Sequence, residues 1–226
     1  MPMVKAAAAG LTALLLTGCA QLPLPTIIYD KTANSVHSIT LVTPYVSPQP
    51  TLIQGALNTV EDNPIVGGAV AALIIGGIEM DRQNKFNTMV QGQGFSAQDE
   101  VAAGITSALK AKNYTVTSVT APRPDAKFLT TYQPAQADAY LDVVVENYGY
   151  NQPGITPFDP FLAAEYKLVR AKDNQVIMQG TVIYTGPIAA YEFQNYGAFG
   201  ADPKRSVAGL KEETTEVATA ITSGLP

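Results

Sequence analysis

The chain has 226 residues and a net charge of −5, and 46% of its residues are hydrophobic. That length and hydrophobic content are enough for one substantial core. The acidic balance argues against nucleic acid or anionic lipid as a partner held by charge, because both require a basic protein surface.

The first 20 residues are typical of a secretory signal. Lys5 gives the short leading segment a positive charge, and residues 6–16 are an uncharged run of Ala, Gly, Leu and Thr. The run is too short for a membrane span, which needs about 20 residues, but it suits the hydrophobic part of a signal peptide. It leads into residues 16–19, Leu-Thr-Gly-Cys, which contain the only cysteine of the chain.

This motif, in its order and spacing after the hydrophobic run, resembles the lipobox of bacterial lipoproteins. The resemblance implies that residues 1–18 are removed and that Cys19 carries a diacylglycerol thioether and an N-acyl chain. Residues 19–26 would then be a lipidated tether. In this family, an aspartate directly after the lipidated cysteine usually retains the protein in the inner membrane. Ala20 at that position therefore implies the periplasmic face of the outer membrane. Two or more acyl chains suffice for stable anchoring. An ordinary signal peptide followed by an unmodified thiol is the alternative.

Residues 27–226 are predicted to form one periplasmic domain, which begins with a strand over residues 38–43, where apolar and polar side chains alternate. A Gly-rich apolar helix is predicted over residues 64–85. Its small residues recur every four positions, at Gly68, Ala72 and Gly76, so they would form one smooth stripe for self-association.

Three interpretations of the Gly-rich segment stay open. It is a helix buried against the domain's own sheet, a helix lying on the membrane or on an identical neighbour, or a flexible Gly-rich loop. The apolar run within it, residues 65–78, is too short to span a bilayer.

A second helix is predicted to begin after Ser96, a favourable N-cap residue, and to end near Asn113, which tolerates a left-handed conformation. Strands are predicted at residues 114–119, 139–148, 162–171 and 176–185. The polar residues 172–175 suit a tight hairpin turn between the last two strands. A final helix begins at residues 202–203, Asp-Pro, and ends at Gly224.

This order predicts a single α+β domain with a mostly antiparallel sheet and helices packed on one face. In architecture alone, it resembles small periplasmic lipoproteins that assist envelope assembly or export, the YajG, LptE and CsgG-like groups. No motif within the domain carries that resemblance, so it gives little information about function.

No catalytic signature stands out. His37, the sole histidine, lies in a polar stretch and suggests a surface position. Asp138, Asp142 and Glu146 recur at even spacing on one predicted strand, which indicates its solvent face. A carboxylate-based enzyme acting on envelope glycan is the alternative that would use Asp142 or Glu146. No metal and no cofactor other than the lipid on Cys19 is predicted.

Aromatic residues are concentrated in two loop-like segments, residues 148–161 and 191–200. Tyrosine in loops adds contact area at low entropic cost, so we expect these rings to bind a partner protein of the envelope. The alternative is that they fold back and cap the core. The predicted partner-binding residues are Tyr148, Tyr150, Phe158, Phe161, Tyr191, Phe193 and Tyr196.

The leading functional hypothesis is therefore a non-enzymatic outer-membrane lipoprotein that acts as a binding or assembly accessory of the cell envelope. The lipid would anchor the protein to the membrane, and its partner would be another protein of the envelope. Self-association into a homo-oligomer is a further possibility. A lipid-binding chaperone is a further alternative, which would require a deep apolar cavity.

Overall fold

The computed structural model describes residues 21–23, 27–28, 36–54, 80–123, 125–134, 136–152, 154–185 and 188–225. The strands are β1 (Gln21–Pro23), β2 (Ile27–Ile28), β3 (Ser38–Val42), β4 (Tyr45–Val46), β5 (Thr51–Gln54), β6 (Thr115–Val119), β7 (Ala139–Gln152), β8 (Asp159–Arg170) and β9 (Val176–Thr185). The helices are α1 (Met80–Gly92), α2 (Ala97–Ala111), α3 (Gly197–Ala201) and α4 (Pro203–Ser223), with a 3-10 turn at Ala189–Tyr191. Within these ranges, no helix combines the length and apolar character needed to cross a membrane.

The strands form one mixed sheet in the order β1-β9-β8-β7-β3-β6. Strands β7, β8 and β9 are an antiparallel meander, as predicted. However, β3 runs parallel to both β6 and β7, and β4 and β5 also pair parallel to β7. The sheet is therefore mixed: antiparallel pairing predominates, as predicted, but the parallel part was not predicted. The helical segment between β3 and β6 supplies the long crossover that parallel neighbours require.

The first two strands lie along β9. In β1, Gln21 pairs with Tyr184, and in β2, Ile27 pairs with Gln179, both antiparallel. These strands occupy an edge of β9 that would otherwise present unpaired backbone groups. The stretch predicted as a tether, residues 19–26, therefore contains a strand of the sheet.

Several predictions for the N-terminal third fall on residues that the structure does not describe. These are the lipidation of Cys19, the signal segment 1–18, and the self-association stripe of Gly68, Ala72 and Gly76. The predicted helix over residues 64–85 lies outside the described residues up to position 79. Its polar end belongs to α1, in which Phe86 and Val90 are buried.

Local signals set the helix ends and turns as predicted. The Ser96 hydroxyl accepts a backbone N–H bond in the first turn of α2, and Asp202 does the same for α4. Gly224 follows the last residue of α4. Asn113 and Asn174 adopt φ values of 67° and 58°, which end α2 and turn the β8–β9 hairpin.

The main core lies between β7 and β8 and the helices α1, α2 and α4. Strand β7 alternates, so Leu141, Val143 and Val145 belong to this core while Tyr140 and Asp142 lie on the opposite face. The helical residues in the core recur at helical spacing. They include Val101, Ile105 and Leu109 of α2 and Leu210, Val217 and Ile221 of α4.

Helix α4 packs against the Tyr150 ring of strand β7 at Gly209. A Cβ atom at this position would lie 2.1 Å from the Tyr150 hydroxyl oxygen and 2.9 Å from Cβ of Tyr191. The Tyr150 hydroxyl donates a hydrogen bond of 2.9 Å to the carbonyl oxygen of Ser206, one turn earlier in α4. Only glycine therefore lets the helix backbone sit on this ring while the hydrogen bond is kept.

We expect Gly209→Ala to lower the free energy of unfolding by roughly 1–3 kcal/mol, because the added methyl group overpacks a buried contact. Gly200→Ala is the matched control, since a Cβ there meets no atom within 4 Å and α3 gains helix propensity. Urea unfolding of both variants measures the difference. Equal midpoints for the two would show that α4 is not closely packed at Gly209.

Candidate functional site

The described residues between β6 and β7, 120–123, 125–134 and 136–138, cross the face of the sheet that lies opposite the main core. We call this side of the sheet the loop face. Leu129 and Tyr132 of this loop pack with Val42, Tyr140 and Val169 in a cluster of their own. The loop thus covers the Tyr140 and Asp142 side of β7. An otherwise exposed half of the sheet becomes a second, smaller core.

Asp142 lies at the centre of the loop face and is fully buried. Its Oδ1 accepts from Nη2 of Arg123, whose side chain is 5% exposed. Its Oδ2 accepts from the Tyr132 hydroxyl at 2.8 Å and from the Leu129 backbone N–H at 2.9 Å. The prediction that Asp142 lies on a solvent face is therefore wrong, because the loop folds over it and supplies Arg123 to balance its charge.

Lys167 of β8 lies beside this ion pair. Its ammonium group is 4.8 Å from the ring centre of Phe128 and 5.7 Å from that of Tyr132. Burial lowers the pKa of Lys167, although Asp142 opposes the effect. Burial and the Asp142 charge together raise the pKa of Tyr132. Tyr132 is therefore a hydrogen-bond donor that holds the loop in place, since its phenol does not ionise near neutral pH.

A pocket of about 170 Å³ opens at the end of the loop face where β3 and β6 finish. The rings of Tyr132 and Tyr140 stack beside it, with centroids 5.0 Å apart and an interplanar angle of 22°. Both hydroxyls are engaged, since Tyr140 donates to the Gln133 carbonyl oxygen and Tyr132 to Asp142. The lining residues are Val42, Val119, Thr120, Ala121, Pro122, Leu129, Thr131, Tyr132, Gln133 and Tyr140.

The chemistry of this lining is apolar and uncharged. None of its side chains carries a formal charge, and the polar members are hydroxyl or amide groups. The volume is close to that of a cavity that binds benzene, about 150 Å³. It is below the range of about 300 Å³ and more that drug-sized ligands occupy. The pocket therefore fits one ring or one branched side chain.

The structure brings the two predicted aromatic segments together. The backbones of Phe158 and Phe193 exchange hydrogen bonds of 2.7 and 3.0 Å. Phe199, which the sequence analysis did not single out, contacts the rings of Tyr150, Phe158 and Phe193 with centroids 4.6–5.2 Å apart. The segments thus form one aromatic cluster.

Most of the predicted partner-binding rings are inaccessible. Tyr148, Tyr150, Phe158, Phe161 and Phe193 are at most 4% exposed, so they stabilise the interior and present no contact area to a partner. The alternative interpretation, that the rings cap the core, holds for these five. Tyr191 and Tyr196 are half-buried, and their role in partner binding stays a prediction.

The three evenly spaced carboxylates, Asp138 just before β7 and Asp142 and Glu146 within it, have different environments. Asp138 accepts backbone N–H bonds of 2.9 Å from His37 and Ser38, which lower its pKa. His37 itself is exposed, as predicted. Burial raises the pKa of Glu146, and the neighbouring Glu165 adds to the effect. Both oxygens of Asp142 are engaged, so Asp142 and Glu146 do not form an open pair for acid–base chemistry. Among the described residues, no cluster of three metal-ligating side chains is present.

Glu213 of α4 is a second buried carboxyl group. It is 1% exposed, and neither oxygen has a hydrogen-bond partner of good geometry among the described residues. Burial raises its pKa to about 10, Glu216 and Asp159 add to the effect, and the Leu162 backbone N–H opposes it. The carboxyl group is therefore neutral at neutral pH. Glu213 lies three residues after Leu210, a spacing that places both side chains on the same, apolar side of the helix.

No family model matches the chain, and no curated protein matches it. Similar solved structures include protein XCC0632 from Xanthomonas campestris, of family model DUF330, at 13% identity and a TM-score of 0.46, covering 83% of this chain and 82% of that one. The PelC dodecamer from Paraburkholderia phytofirmans has 13% identity and a TM-score of 0.37, with 84% and 87% covered. The LpoB C-terminal domain from Salmonella enterica has 13% identity and a TM-score of 0.19, with 68% and 88% covered. At these scores, none of them assigns a family or an activity to the chain.

We expect Asp142→Asn to destabilise the protein by about 3–5 kcal/mol, because it leaves the buried Arg123 guanidinium without a counter-charge. The matched control is Asp125→Asn in the same loop, which removes an exposed ion pair with Lys127 and should leave the unfolding midpoint unchanged. Urea unfolding separates the two. If Asp142→Asn kept full stability, the ion pair would not be what holds the loop.

We expect the free energy of unfolding to fall as the pH rises above the ordinary range for carboxyl groups. The folded state holds the Glu213 proton up to about pH 10, whereas the unfolded chain releases it near its ordinary pKa of about 4.3. The folded state therefore binds more protons within this interval, and stability is lost with rising pH by at most about 1.4 kcal/mol per pH unit.

Urea midpoints between about pH 7 and pH 8.5 test this, because Asp159, whose pKa burial raises to about 6, is already largely ionised there. Glu213→Gln should flatten the pH dependence, while Thr219→Ser, at an exposed and non-titratable position of the same helix, should leave it intact. Parallel curves for wild type and both variants would contradict a neutral buried Glu213.

Proposed function

We propose that this chain is a lipoprotein, anchored through Cys19 to the periplasmic face of the outer membrane, that acts as a non-enzymatic binding or assembly accessory of the cell envelope. The observation that carries the proposal is the Leu-Thr-Gly-Cys motif of residues 16–19 after a signal-like run. Strand β1 begins two residues after that cysteine.

The pairing of β1 with β9 indicates at which edge of the sheet the proposed anchor would lie. Two residues span at most about 7 Å, so acyl chains on Cys19 would attach close to the place where Gln21 pairs with Tyr184 of β9. Strand β6 is five positions away in the strand order, about 24 Å at the usual spacing. An anchor at the β1 edge would therefore leave the β6 edge and its pocket directed towards the periplasm.

The pocket supports binding over the two alternatives. A lipid chaperone needs a cavity for a whole acyl chain, and the loop-face pocket of about 170 Å³, within the described residues, holds only one ring or side chain. Of the two carboxylates that the enzyme alternative would use, Asp142 has both oxygens engaged, which leaves Glu146 without it as an acid–base partner. A small apolar pocket is typical of a site that receives an anchor side chain of another protein. Self-association through Gly68, Ala72 and Gly76 stays a separate prediction from the sequence.

Labelling with palmitate, followed by membrane fractionation, tests the anchor. We expect the wild type to be labelled and to fractionate with the outer membrane, and Cys19→Ala to be unlabelled and released. Ala20→Asp is the matched control: it should stay labelled but move to the inner membrane. A Cys19→Ala variant that remains labelled and membrane-bound would exclude the anchor, and in vivo crosslinking that captures no envelope protein would exclude the accessory role.

A further inference from the structure

Strand β6 forms an open edge of the sheet. It is the last strand in the order, and within the described residues β3 is its only pairing neighbour. Its sequence, Thr-Val-Thr-Ser-Val, is rich in β-branched residues and contains no charge or proline, and its register with β3 has no bulge. Charged residues, prolines and bulges commonly protect an exposed edge from pairing. Because β6 has none of them, it can accept another strand.

The outward backbone groups of β6 belong to Val116 and Ser118. Thr115 donates its N–H to the His37 carbonyl oxygen, and Val119 accepts from the Thr43 N–H, so the odd-numbered residues face β3. In a parallel ladder the even-numbered residues then point their N–H and C=O groups away from the sheet. Thr115, Thr117 and Ser118 are exposed.

The loop-face pocket lies over one face of the sheet at the C-terminal end of this edge. Four of its lining residues, 119–122, are the end of β6 and the three residues that follow it. A strand added to β6 would lie about 4.8 Å outside it. At that distance, a side chain of the added strand near the end of β6 can enter the pocket. Ring faces of Tyr132 and Tyr140 beside the pocket suit an aromatic group, since aromatic pairs are favourable at centroid separations of 4.5–7 Å.

We infer that β6 and the loop-face pocket together bind an extended segment of a partner protein, which adds as a strand to β6 and inserts one uncharged aromatic side chain into the pocket. This rests on the proposed binding role and names the chemistry of its partner. Main-chain hydrogen bonds to Val116 and Ser118 supply affinity, and the pocket supplies specificity.

The size of the surface favours a peptide segment over a second copy of this chain. Five residues of edge span about 16 Å, and with a sheet about 10 Å thick they present only about 160 Å², far below the roughly 800 Å² per partner of a stable dimer. Two copies of β6 paired about a two-fold axis would offer each other only Thr, Val and Ser side chains, so no ring would reach either pocket.

The probe is the peptide acetyl-Thr-Phe-Thr-Val-Thr-Phe-Thr-amide, which carries a ring near each end and so samples both strand directions. Binding to the full chain in detergent is measured by calorimetry. We expect replacement of both Phe by Ala to raise Kd at least about tenfold. Methylation of alternate backbone nitrogens should have a similar effect, because it blocks strand pairing while the rings are kept.

Two protein variants test the same contacts. Ser118→Pro removes an outward N–H without breaking the β3 ladder, and Ser118→Ala keeps that N–H. We expect the first to raise Kd for the probe about tenfold and the second to change it less than about twofold. Ala121→Leu, which fills the pocket, should weaken binding of the Phe peptide and leave binding of the Ala peptide unchanged.

The inference is overturned if the Phe peptide shows no binding up to about 1 mM, or binds Ser118→Pro and Ser118→Ala equally. It is also overturned if sedimentation shows a dimer of the chain that Ser118→Pro dissociates, which would assign the edge to a second copy. These outcomes are separate from the anchor, because Ser118→Pro should be labelled with palmitate and fractionate like the wild type.

Discussion

Burial of β7 on both faces is the constraint on which the rest of the domain depends. This 14-residue strand pairs with β8 along one side and with β3, β4 and β5 in turn along the other. A strand at that position needs cover above and below. The helices α1, α2 and α4 supply it on one face, and the loop of residues 120–137 supplies part of it on the other. The pocket exists because a loop, and not a helix, covers that end of the strand.

The domain buries two carboxyl groups by opposite means. Asp142 pairs with Arg123 and accepts two further hydrogen bonds, so the cost of its burial is offset by close partners. Glu213 has no such partners among the described residues, and burial raises its pKa to about 10 so that the neutral form persists. Asp142 therefore holds the loop in place, whereas Glu213 makes stability sensitive to pH.

Features set by neighbouring residues were predictable from the sequence, and features set by distant ones were not. Ser96, Asn174 and Asp202 act within a few residues of themselves, so the caps and the hairpin were recognised. The parallel pairing of β3 with β6 and β7 depends on a crossover whose path no local pattern encodes. The burial of Asp142 depends on the preceding loop folding back across the sheet, and the aromatic cluster depends on two segments separated by β8 and β9. Loop-like composition at residues 148–161 and 191–200 indicated irregular structure but could not tell an exposed ring from a buried one.

The pairing of β1 with β9 also orders events in time. Gln21, near the start of the chain, finds its partner Tyr184 only after β7, β8 and β9 have been made and have met. Pairing between residues so distant in sequence is slow, because loop closure must precede it. The N-terminal segment consequently stays accessible while the rest of the sheet assembles. The β9 edge is closed last, by the segment that is made first.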